Sequence, residues 1–96
     1  MNNQFDISEF VDAETEQSVL SALVKREKLR RKELGFSQKT LATRSGVSYA
    51  SIRRFESSGD ISLSSLLKIG NAMNCLSDFN DLFKHKKITN LRDYKV

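Results

Sequence analysis

The sequence predicts an all-α fold of five helices, and three observations carry that prediction. Apolar residues recur at helical spacing in two long stretches, Leu20, Leu23/Val24 and Leu34 in the first and Leu63, Leu66, Leu67, Ile69 and Met73 in the second. Serines stand where helices should begin, with Ser37 and Ser48 the clearest. Glycines stand where helices should stop, at Gly35 and Gly46.

Taken in order, residues 1 to 13 are polar and acidic with scattered Phe5, Ile7, Phe10 and Val11. They read as an arm, mostly disordered alone, with apolar residues that a partner can take up. A domain is expected over 14–83. Its first helix should run from about Glu14 to Leu34 on a stripe that also includes Glu27 and Arg31, and Gly35 should end it. The second and third helices share the stretch SQKTLATRSGVSYASIRRFE, Ser37 to Glu56, with Gly46 between them. Ala42 is small where the two helices cross closely. Ser57-Ser58-Gly59-Asp60 makes a polar turn, and Ser62 or Ser64 opens the fourth helix, which should stop near Asn74. Ser77 or Asp78 caps a short fifth helix carrying Phe79, Leu82 and Phe83. The tail, 84–96, is basic. Its Ile88, Leu91, Tyr94 and Val96 suit either packing on a partner subunit or a short strand.

The Ser37–Glu56 stretch is a helix-turn-helix. With Ile52 and Phe55 facing inward, its second helix must present Tyr49, Ala50, Arg53 and Arg54 on its other sides. The charge distribution agrees. Residues 1–24 hold five acidic residues and no Lys or Arg, whereas ten basic residues stand between Lys25 and Arg54 against Glu27 and Glu33. A basic half of that kind favours a polyanion.

Gln38-Lys39-Thr40-Leu41-Ala42, Gly46-Val47-Ser48, Ile52 and Glu56 resemble the pattern of the Cro/C1 repressor-like, or XRE-type, regulators. The longer run from Arg44 to Phe83 looks like the HipB-type antitoxin and regulator branch of that family, and the resemblance spans roughly residues 24–83. It implies a lambda-repressor-like domain with the helix-turn-helix at helices 2 and 3. It also implies a site. Family positions that reach base edges map onto Tyr49, Ala50 and Arg54. Arg54 suits bidentate contact with guanine, Tyr49 a thymine methyl or a phosphate, and Ala50 apolar contact alone. Glutamine is more usual at these places, so the operator sequence does not carry over. Gln38 matches a glutamine that meets the DNA backbone at the start of the second helix, where free N–H groups attract an anion. Ser37, Lys39, Arg44, Ser48, Ser51 and Arg53 are expected to help hold phosphates. The runs Lys25–Lys28 and Arg30–Lys32 are expected to approach flanking DNA. Arg31 and Glu56 match a structural ion pair of the family. The chemistry argues the same way, since a partly buried guanidinium needs a carboxylate.

Other classes are disfavoured. His85 is the sole histidine and lies in a charged tail, so neither a Ser-His-Asp set nor a metal cluster is supported. No glycine-rich phosphate loop is present, and no cofactor or enzyme activity is expected. Cys75 is the single cysteine, expected as a buried small hydrophobe. Neither a signal peptide nor a stretch of membrane length is expected, which reads as a cytoplasmic, nucleoid-associated protein of a bacterium or phage. At 96 residues the core is marginal, so a homodimer joined through Leu82, Phe83, Ile88 and Leu91 is expected on a pseudo-palindromic double-stranded DNA operator. The HipB-type resemblance adds an autorepressing antitoxin that holds a HipA-like kinase toxin, through the acidic arm and basic tail that DNA binding leaves unexplained. The alternatives are a stand-alone repressor and a protein-binding module that neutralises a partner.

Overall fold

The computed structural model describes residues 13–85 and contains four α-helices followed by a short 3-10 helix. The acidic arm up to residue 12 and the tail from residue 86, with Ile88 and Leu91 of the expected dimer contact, lie outside the described residues. Helix α1 is Glu16–Glu33. It starts two residues later than expected because Thr15 caps it: the Thr15 hydroxyl accepts from the Ser18 amide and the Ser18 hydroxyl accepts from the Thr15 amide, both at 3.0 Å. Gly35, in a left-handed conformation, follows its last turn.

Helix α2, Gln38–Ser45, is capped by Ser37, whose hydroxyl accepts from the Thr40 amide at 2.9 Å. The chain then turns at Gly46 with φ +78°, its amide closing on the Ala42 carbonyl at 2.9 Å. Helix α3, Tyr49–Ser58, is capped in the same way by Ser48 on Ser51 at 3.0 Å. Helix α4, Leu63–Ala72, is capped by Ser62. Asn74 takes a left-handed φ of 60° just past its end, a conformation that asparagine tolerates better than most residues.

Helix α2 packs on α3 and α4, α1 packs on α3, and the 3-10 helix Leu76–Asp81 packs on α4. Their common core is Leu41, Val47, Ile52, Ile69 and Met73, with Phe36, Ala42, Ile61, Ala72 and Cys75 partly buried against it. Phe55 is fully buried. Helices of eight and ten residues are too short to persist alone in water, so this core is what holds α2 and α3 in shape.

Several expectations change. The fifth helix is a six-residue 3-10 helix that begins after Cys75, and neither Ser77 nor Asp78 caps it. Leu82 and Phe83 fall past its end and are exposed, Phe83 completely. Only Phe79 turns onto the fold, its ring lying over Gly70. Leu63 is 63% exposed because it occupies the first position of α4, and Leu34 is exposed as the C-cap of α1. Cys75 is half-buried rather than buried.

Two glycine substitutions separate backbone strain from steric conflict. A Cβ at Gly46 would meet nothing within 4 Å, so Gly46→Val is expected to destabilise by more than ~1 kcal/mol through its left-handed φ alone. Alanine normally strengthens a helix interior by about 1 kcal/mol relative to glycine. At buried Gly70, however, a Cβ would come within 2.7 Å of the Phe79 ring, so Gly70→Ala should lower the melting temperature instead. A raised Tm for Gly70→Ala would show that the Phe79 ring moves aside at less cost than the helix gains.

Candidate nucleic-acid interface

The site is built on a buried charge cluster between α1 and α3. Arg31 grips Glu56 side-on, Nε to Oε2 and Nη2 to Oε1, each at 2.9 Å. Its Nη1 donates to the Phe36 carbonyl, also at 2.9 Å. The two side chains are almost wholly buried, which is where a bidentate pair gives orientation as well as attraction. Arg31 therefore fastens α3 to α1 and to the turn before α2. The Glu56 hydrogen bond pushes the Arg31 pKa up, further from ever losing its charge. Burial alone would raise the Glu56 carboxyl, but hydrogen bonds from Arg31 and Gln38 hold it below its ordinary value.

Glu27, one turn before Arg31, is the third member. Both of its carboxylate oxygens are buried, and no described residue donates to them. Two carboxylates and one guanidinium would leave the pocket with an excess negative charge. The cluster is neutral when Glu27 keeps its proton. Desolvation by burial is the main cause, and together with the neighbouring Glu56 carboxylate it pushes Glu27 up to about 8.

On the outer side of this cluster Lys28, Gln38, Ala50, Arg53, Arg54, Glu56 and Ser57 line an open concavity. Ala50, Arg53 and Arg54 reach it from α3, Gln38 from the start of α2, and Lys28 from α1. Gln38 Nε2 donates to Glu56 Oε1 at 2.9 Å, which fixes the carboxamide on the concavity's wall. Since Glu56 is neutralised by Arg31, the exposed face of α3 carries Arg53 and Arg54 with no opposing acid of its own.

Tyr49, at the first position of α3, is bracketed by Lys39 at 5.3 Å and Arg53 at 5.4 Å from its ring centroid. Such cation–π contacts hold the ring and both cations as one preformed group. Ser37 and Ser48 cap α2 and α3, and each also donates to a hydroxyl in the first turn, Ser37 to Thr40 at 2.9 Å and Ser48 to Ser51 at 2.8 Å. Arg44 lies over the Phe36 ring at 4.7 Å and is not among the residues lining the concavity. The structure thus gathers Gln38, Ala50, Arg53 and Arg54, adds Tyr49 and Lys39 at the edge through Arg53, and leaves Arg44 apart. Lys28 stood in the sequence only within a basic run, and nothing local marked it off from Lys25 or Lys32.

A family model described as "Helix-turn-helix" matches residues 28–79, more than half of the chain. No curated protein and no solved structure matches. None of the helices among the described residues is long and apolar enough to cross a membrane.

The buried carboxyl gives stability a definite pH dependence. Glu27 titrates near 4.5 when exposed and near 8 in the fold, so the native state holds an extra proton between those values. Stability from this source should fall as pH rises from about 4.5 to about 8 and then level off. Glu56, held low, acts in the opposite sense and only on acidification below its ordinary range. Urea midpoints measured across this window should decline for the natural chain. They should stay flat in Glu27→Gln, whose amide is neutral at every pH. A parallel decline in both proteins would show that Glu27 is not the titrating group.

Proposed function

This chain belongs to the Cro/C1-type helix-turn-helix family of DNA-binding transcriptional regulators, matched over residues 28–79, and we propose that it reads a specific operator as a homodimer. The observation that carries this reading is the concavity beside α3, where Arg53 and Arg54 stand exposed with Gln38 and Lys28 opposite. The first residues of α3 enter the major groove, and Arg54 reads guanine through its fork of N–H donors. Tyr49, steadied by two cations, meets a thymine methyl or a phosphate, and Ala50 makes apolar contact. Lys28, Gln38, Lys39 and Arg53 hold phosphates and so set register without reading sequence. The capping serines Ser37 and Ser48, with Ser51 in the first turn of α3, act through the backbone amides arranged at the starts of α2 and α3.

Two copies would place their α3 helices in successive major grooves about 34 Å apart, on a pseudo-palindromic site. Exposed Phe83 supports a contact with a second copy, since water is a poor neighbour for a large apolar side chain. The regulator represses its own promoter. Its resemblance over residues 44–83 to HipB-type proteins supports a further role as an antitoxin that holds a HipA-like kinase. Co-expression with a kinase encoded alongside should then yield a stable complex, and a dimer that never co-purifies with one would leave a stand-alone regulator.

The division between reading and positioning is testable once an operator has been selected from random duplexes. Arg54→Ala is expected to relax preference at one base pair, a loss of ~1–3 kcal/mol confined to the specific site. Lys28→Ala should weaken all duplexes alike and lower the salt slope by about one. Equal losses on operator and random DNA from Arg54→Ala would refute its role as a reader.

A further inference from the structure

On the opposite side of α1 lies a groove that DNA binding does not use. Its floor is apolar: Leu23 from α1, Leu66 and Met73 from α4, and Phe79 and Leu82 from the 3-10 segment and its end. Arg26 and Arg30 line it from α1. At 100° per residue they point away from Lys28, so they face away from the concavity that Lys28 shares with Arg54. Arg30 also meets Glu33 at 3.6 Å, but both side chains are largely exposed, where such a pair is weak. Asp78 is the acid on the facing wall, and the Glu27 carboxyl that also borders the groove is held protonated. The groove therefore wants an occupant that is apolar on one side and acidic on the other.

We propose that residues 5–12 of the same chain, FDISEFVD, occupy this groove. Phe5, Ile7, Phe10 and Val11 supply the apolar side, and Asp6, Glu9 and Asp12 supply carboxylates for Arg26 and Arg30. The dimensions agree. The chain bends at Ala13, two residues before the Thr15 cap of α1. Along α1, Leu23 lies about 10 Å and Arg30 about 21 Å from the helix start. A strand running back from Ala13 covers about 10 Å by Phe10 and about 26 Å by Phe5. Even after the three residue steps from Ala13 to Glu16 are allowed for, the extended segment is long enough to run beside Leu23 and Arg26. The other nearby segment of the chain, residues 84–96, carries Lys84, Lys86, Lys87, Arg92 and Lys95 against Asp93 alone, and the two arginines repel it. Docked in this way, the acidic segment is kept away from the DNA-facing side of α1.

Cys75 is half-buried, borders the groove and is the single cysteine, so its alkylation rate reports whether the groove is covered. In the full chain with Phe5→Ser and Phe10→Ser together, alkylation by iodoacetamide should rise about tenfold, the factor for a site otherwise covered roughly nine-tenths of the time. Arg26→Glu with Arg30→Glu should raise it likewise, and adding Asp6→Lys and Glu9→Lys to that pair should restore protection. Circular dichroism checks that each variant keeps its helices. An unchanged rate in the Phe variant would overturn the proposal. So would release by Ile88→Ser with Leu91→Ser, which would name the tail as occupant, and so would protection that disappears on dilution, which would name a second copy.

Discussion

The guanidinium of Arg31 joins three segments that have no covalent reason to be neighbours: α1, the turn at Phe36 and the last turns of α3. Short helices with small apolar faces leave some freedom in how α3 sits against α1. A bidentate bond at 2.9 Å removes much of it. The same bond decides the electrostatics of the outer surface. Glu56 is the single acid of α3, and an unpaired carboxylate there would stand beside the exposed Arg53 and Arg54. Buried against Arg31 and touched by Gln38, it becomes part of the scaffold. The cost appears at Glu27, which keeps its proton well above the ordinary range so that the cluster stays neutral.

Outward from that cluster, function follows from local rules. Ser48 fixes where α3 begins, and thus which residues lead into a groove. Gly46 sets the angle between α2 and α3 by taking a backbone conformation that costs other residues energy. Tyr49, Lys39 and Arg53 hold one another before any ligand arrives, so less side-chain freedom remains to be lost on binding. The surface is prepared on the DNA side, while the apolar groove beyond α1 is left for another occupant.

What was legible in the sequence was what short-range chemistry fixes. The caps Ser37, Ser48 and Ser62, the stops at Gly35 and Gly46, and the inward Ile52 and Phe55 each follow from their neighbours within a turn or two. The misplaced features depend on distant partners or on where the small core runs out. Leu63 and Leu34 keep helical spacing but stand at helix ends, past the elements that would cover them. The segment after Cys75 winds too tightly and too briefly for an α-helix, so Leu82 and Phe83 lie beyond its last turn. The contacts of Gln38 with Glu56 and of Arg44 with Phe36 were not legible either, because partners behind the helix or eighteen places away lie outside any local pattern. Glu27 on an apolar stripe looked like an imperfection, and only the fold reveals the carboxylate that it faces.

A double-mutant cycle on Arg31→Met and Glu56→Leu, read by urea unfolding, tests the central claim most directly. In a Glu27→Gln background, where no second carboxylate can take over, each single substitution strands a buried charge and should cost ~3–5 kcal/mol, whereas the apolar pair together should cost less than the sum by well over ~1 kcal/mol. Losses that simply add would mean that the two residues do not hold each other, and that α3 is positioned by something else.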